Sequence, residues 1–441
     1  MTYSSTTYLI FVVGSILLVL SFVDTIVMSM YLDSITKRQS PFTYHVFVSI
    51  VVVSITAQSL TLYIIRKKKN SADSKPKTRS SVLLEIWATS SLCVLISLFL
   101  YLIALLLYQR AYFSDIFKLV VYLSYAFSVI NIGLLIISLT SWYKRNHGIV
   151  MLLYVIAISA FLINEVSSIL ILSSQLSGPS QKISFVTNPW DNRSLILSSF
   201  NDFYKITSIL SFTVAWLATC LLLHYYSRKL GRWKFWLLAT LPLVYYLGNL
   251  DIIRASIFNY VLHLNPQLLS TVQFALGGAK QAGGFFFAIS FVMISRNVDN
   301  QKLKLYLLIS GTGIMLLFSS NQISLVQLLP YPPFGLTTIS LISISSFLLL
   351  IGLHSLAHSM AHDKQLLEFI RKLVNQKASK FLFDIGSAQW QKEIDRTIPM
   401  ILNSNSSLIK ESSSPTSLTE QEIKDYIYEI SKEMEKMREE G

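Results

Sequence analysis

The sequence predicts an all-α, polytopic membrane protein: a bundle of about ten transmembrane helices followed by a helical tail. Three observations carry that prediction. Hydrophobic residues make up 52% of the 441 residues and charged residues only 14%, against about 25% charged in an ordinary soluble domain. Mean hydropathy is +0.52. Apolar runs longer than about 18 residues recur along the chain, each long enough to cross a hydrocarbon core about 30 Å thick. Helices are the expected spanning form, because a lipid-embedded segment must bond its own backbone groups and these runs do not alternate as barrel strands would.

The runs place spans at 8–32, 44–65, 82–108, 116–142, 149–173, 204–226, 234–260, 269–294, 305–329 and 335–359. The first has no basic leader and is too long for a signal-peptide core, so it reads as a span. Asn249, Asp251 and Arg254 interrupt the seventh run, the least regular of the ten. Sixteen basic residues fall in the loops after the even-numbered spans, Arg66, Lys67, Lys144 and Arg145 among them, and seven in the alternate loops. Basic short loops stay inside. The expected location is therefore the cytoplasmic membrane, with both termini in the cytoplasm.

The bundle covers 1–362 and the cytoplasmic tail 363–441. Because the +13 net charge is concentrated in short loops and the tail, the bilayer is the implied partner and no nucleic acid is expected. Cys93 and Cys220 both lie within spans and read as packing residues, which leaves no disulfide framework or Cys-rich metal site. The longest outer loop, 174–203, carries Gly, Pro and Asn breakers and the glycosylation sequon Asn192-Arg193-Ser194.

The tail divides into three parts. Residues 363–383 read as a basic amphipathic helix on the bilayer, with Leu366, Ile370 and Leu373 on one side and Arg371 and Lys372 available to headgroups. Residues 403–417 are a polar linker. A final helix opens with Thr419 and Glu422 as a capping box, and Ile423, Ile427, Ile430, Met434 and Met437 follow at coiled-coil spacing. Through 418–439 the tail can join a cytoplasmic protein, self-associate, or dock on its own inner loops.

Ionisable residues inside spans are costly and therefore candidates for function. They are Asp24, Glu165, Asp251, Arg254 and Lys280. Asp24, Asp251 and Arg254 fall in the outer half with Asn321 and Gln322, while Glu165 and Lys280 lie nearer mid-depth. Asp251 and Arg254 stand at i, i+3 and can pair, which leaves Glu165 or Asp24 as a partner for Lys280. Lys280 itself sits in the glycine-rich stretch Leu276–Gly284. That stretch predicts either a close helix crossing with a structural ion pair or a discontinuous helix around a ligand. His354 and His358 at i, i+4 are either interfacial side chains or a weak metal-chelating pair.

No P-loop, HExxH, GxSxG or dinucleotide-binding glycine motif is present, so neither an enzyme nor a bound cofactor is expected. Three readings follow. The first is a sensor or receptor with an outer polar cavity and a partner-binding tail. The second is a secondary transporter using Lys280, Glu165 and Asp251, and the third an accessory subunit of a membrane complex.

Asn321-Gln322, the turn Pro330-Tyr331-Pro332-Pro333-Phe334-Gly335 and the tail segment Ile385-Gly386-Ser387-Ala388-Gln389 share a stretch that covers under a fifth of the chain. It resembles a group of multi-pass membrane proteins of ammonia-oxidising archaea. The resemblance implies an archaeal cytoplasmic membrane and assigns no activity.

Overall fold

The structure, a computed structural model, describes residues 2–32, 41–72, 114–176, 195–224, 231–264, 278–296, 300–320, 335–361 and 381–392, much of 86–104, and isolated positions at 272, 276, 298 and 395. All of its regular structure is helical. In chain order the helices are α1 (Thr2–Leu32), α2 (Pro41–Ala72), α3 (Leu92–Tyr101), α4 (Ser114–Arg145), α5 (Ile149–Leu176), α6 (Leu195–Leu223), α7 (Arg232–Gly248), α8 (Asp251–Leu264), α9 (Ala279–Arg296), α10 (Gln301–Ser320), α11 (Leu336–Ala361) and α12 (381–392).

Among the described residues, six of these helices (α2, α4, α5, α6, α10 and α11) contain a segment long and apolar enough to cross a membrane. The apolar stretches Leu9–Asp24 and Leu92–Tyr101 are shorter. Two further expected spans show local features. The seventh is two helices, because the chain leaves α7 at Asn249 (φ −89°, ψ 2°) through tightened bonds from Asn249 N–H to Tyr246 C=O and Leu250 N–H to Leu247 C=O. Pro242, which lacks an N–H, lies within α7. The eighth carries Lys280 and Gln281 in its first turn, immediately after Gly278.

The outward surface fits a membrane protein. On α5 the exposed residues Ile149, Ile156, Ile163 and Leu170 recur every seven positions, one stripe of a helix whose other faces are packed. α7 likewise exposes Trp233, Trp236, Leu237, Leu241 and Val244. Apolar area of that extent suits hydrocarbon and not water.

At the centre stand α10 and α11, buried along nearly their whole length. Both are mainly apolar with interspersed Ser and Thr, and small residues let other backbones come close. Gly14 of α1 faces Thr312, Gly284 of α9 faces the Met315 carbonyl, Gly313 faces the Leu349 backbone and Gly352 faces Ser310. α10 starts at Asn300, whose Oδ1 accepts the Lys302 N–H at 2.9 Å. α11 starts from Gly335 at φ +86°, a left-handed conformation that glycine adopts without strain.

Candidate functional site

Two of the sequence-predicted residues, Lys280 and Glu165, lie in one polar cluster formed by α4, α5, α6, α7 and α9. Lys280 is the second residue of α9. Its Nζ donates to the Tyr204 hydroxyl at 3.1 Å and lies 5.4 Å from that ring's centroid. A small cavity adjoins it, with polar walls from Asn164, Ser208 and Tyr246 and ring walls from Phe161 and Phe318. It has room for about one water molecule.

Each wall is held by a specific contact. Tyr246 stacks on Phe212 at 3.8 Å between centroids and 7° between planes, and its hydroxyl hydrogen-bonds Ser208 Oγ at 2.9 Å. Asn164 Nδ2 donates to the Tyr204 carbonyl at 2.6 Å and to Thr207 Oγ1 at 3.1 Å. Gly283 on α9 brings the Phe212 ring against the helix backbone, where a Cβ would collide with it.

Glu165, next to Asn164 on α5, is fully buried. Ser128 on α4 donates its hydroxyl to Oε1 at 2.8 Å, and Oε2 has no hydrogen-bond partner. The buried phenol of Tyr125, one turn from Ser128, lies within electrostatic reach of both Glu165 and Tyr204. An amine and a carboxyl thus occupy two ends of a cluster with phenols between them. The expected direct pairing of Lys280 with Glu165 or Asp24 is not formed: Lys280 Nζ donates to Tyr204, and Asp24 accepts from Gly335 and Thr338.

Asp24 belongs elsewhere. Its Oδ1 accepts the Gly335 N–H at 3.0 Å, and Oδ2 accepts the Thr338 N–H at 3.2 Å and the Thr338 hydroxyl at 2.9 Å. A carboxylate on α1 therefore caps α11, where both the unpaired N–H groups and the helix dipole favour an anion. The residue reads as a candidate for ligand binding in sequence and acts as a cap between helices in the fold.

A second polar set joins the tail to the bundle. Trp142 Nε1 donates to Gln389 Oε1 at 2.9 Å, and Asn146 Nδ2 donates to the Asp384 carbonyl at 2.7 Å and to Ser387 Oγ at 2.5 Å. Arg145 pairs with Asp395 at 3.0 Å. Phe381, Leu382, Ile385 and Ala388 are buried beneath these bonds, with the Phe381 ring against Tyr154. The Trp142–Gln389 bond is buried whereas the Arg145–Asp395 pair is largely exposed, so the first contributes more to holding the tail.

His354 and His358 are half-buried on α11, and no group of three or more metal-ligating side chains occurs among the described residues. Asp251 and Arg254 fall on α8, but their side chains lie outside the described residues. The same holds for Asn321 and Gln322, the loop from 177 to 194 with its Asn192 sequon, residues 363–380, the linker, and the terminal seam Ile423, Ile427, Ile430, Met434 and Met437.

Sequence reasoning missed Tyr125, Asn131, Asn164, Tyr204 and Tyr246. A signal was present: tyrosine usually sits at the membrane interface, and Tyr125 and Tyr246 fall well inside apolar runs, as do Asn131 and Asn164. No protein-family model, curated protein or solved structure matches this chain.

Proposed function

We propose that this chain is a sensor or receptor of about ten spans, in a cytoplasmic membrane with both termini on the cytoplasmic side. Its buried polar cluster responds to a ligand or ion, and its tail passes the change to a partner. One observation carries the reading: the α4–α5 hairpin contributes to both places. Its helices supply Tyr125, Ser128, Asn164 and Glu165 to the cluster, and the Trp142–Gly148 end of the same hairpin holds 381–392 through Trp142 and Asn146 and pairs Arg145 with Asp395 beyond it. Glu165 stands 16 residues from Ile149, about 24 Å along a helix axis. A rigid helix transmits a shift over that length.

Hydrogen exchange on the full chain in lipid nanodiscs tests the coupling. Lys280→Met, which removes the amine and keeps the stem, is expected to change amide protection in 381–392 severalfold, with α10 and α11 unaffected. Identical protection of 381–392 in the variant and the wild type rules out the coupling.

A second reading, a secondary transporter, draws on the break between α7 and α8 and on the start of α9 beside Lys280, since discontinuous helices surround transported ligands. Solute counterflow in proteoliposomes should then be lost in Lys280→Met; flux that survives would remove the proposed site.

A further inference from the structure

We propose that Glu165, Ser128, Asn131 and Ser343 form an intramembrane site for a small monovalent cation of the sodium class.

The first support is a set of unsatisfied oxygens. Glu165 Oε2, Asn131 Oδ1 and Ser343 Oγ have no hydrogen-bond partner, and none of the three residues is more than 1% exposed. Buried polar atoms are nearly always bonded, and each exception costs free energy unless something else meets it. Asn131 uses its amide nitrogen on Ser346 Oγ at 3.3 Å, which leaves its carbonyl oxygen open. All three atoms are oxygens able to ligate a hard cation.

The second support is convergence. α4 and α11 run parallel, because Val120, Val121 and Tyr125 share one core cluster with Leu336, Ile339 and Ile342, and Asn131 reaches Ser346 further along. Ser343 precedes Ser346 by one turn on the same face, as Ser128 precedes Asn131. The bond from Ser128 to Glu165 brings the carboxylate to that level. The four side chains therefore lie at one level of α4, with Glu165 reaching it from α5 and Ser343 from α11.

Charge selects the guest. Glu165 has no ion-pair partner among the described residues, and a buried carboxylate inside a membrane bundle must be neutralised by a cation or a proton. One carboxylate with neutral hydroxyl and amide oxygens matches a single positive charge. A proton on Oε2 is the rival guest, because the Ser343 hydroxyl is itself a donor, and acidification in choline separates the two. A divalent ion would want further carboxylates, and no group of three acidic or histidine side chains occurs among the described residues.

The test uses the full chain in nanodiscs, with NaCl replaced stepwise by choline chloride at constant ionic strength while the thermal midpoint is followed. A ligand that binds only the folded state raises the midpoint with its concentration. The expected result is a saturable rise with sodium that disappears in Glu165→Gln. In Ser343→Ala, which deletes one hydroxyl and keeps the fold should Glu165→Gln not assemble, the half-saturating sodium concentration is expected to rise severalfold. The proposal is overturned if the midpoint ignores sodium, if acidification in choline reproduces the whole rise, or if calcium produces it at far lower concentration. This site does not depend on the coupling to the tail: a sodium response with unchanged protection of 381–392 would keep the one and discard the other.

Discussion

Asp24→Ala is expected to destabilise the bundle by about 3–5 kcal/mol, a loss few single substitutions reach. The carboxylate meets the N–H groups of Gly335 and Thr338 and the Thr338 hydroxyl. Its removal strands two buried N–H donors at about 1–3 kcal/mol each, and the dipole of α11 loses its compensating anion as well. Asp24→Asn keeps one carbonyl acceptor without the charge, so its loss should be about half as large. Unfolding in mixed micelles measures both. Equal losses for Ala and Asn would show that charge, and not the acceptor atoms, holds the start of α11. No loss in either would remove Asp24 from the fold's supports.

Gly313→Ala is the second large effect. A Cβ at Gly313 would collide with the backbone nitrogen and Cα of Leu349. Backbone at the centre of a helix cannot swing aside as a side-chain tip can. The cost of such overpacking is about 1–3 kcal/mol, sometimes more, and here the upper end applies because α10 and α11 must separate along their shared length. Gly133→Ala on α4 is the matched control, since a Cβ there meets nothing within 4 Å. Glycine in a helix interior costs roughly 0.5–1 kcal/mol against alanine, so this change should stabilise slightly. Opposite signs at the two positions are the expected outcome, and a stabilised Gly313→Ala would contradict the close crossing.

The helical class was legible in hydropathy because every residue of a span contributes to that signal. Individual roles were legible only where they depend on near neighbours in the chain. The break before Asp251 is one such case: Asn249, Asp251 and Arg254 mark the run as interrupted, and α7 ends at Gly248 with α8 starting at Asp251. The glycines before Lys280 are another, since α9 begins directly after Gly278. Asp24 was read as a functional candidate because its partners are 311 and 314 residues away, and a pattern along one helix says nothing about which other helix starts beside it. Tyr204 and Asn164 were missed for the same reason. Their importance comes from facing Lys280 and Glu165, which belongs to packing and not to periodicity.

The tail gives a finer instance. The segment Ile385–Gln389 stands out in the sequence without a stated role. In the fold its apolar members are buried against the bundle while Ser387 and Gln389 bond to Asn146 and Trp142. The amphipathic reading concerns 363–383, of which 363–380 lie outside the described residues, and for 381–392 the partner is protein.

The central position of α10 and α11 bears on how the molecule is built. Synthesis runs from the first residue onward, so earlier segments are in place before later ones emerge. Here the axle of the assembly is among the last parts made. Until it arrives, Asn131 has no Ser346, Asp24 has no helix to cap, and Gly14 has no Thr312 to pack against. The older helices therefore make these contacts only once residues 301–361 have been added. A chain that ends before residue 300 leaves the Asp24 carboxylate and the Asn131 amide without the partners that α11 gives them.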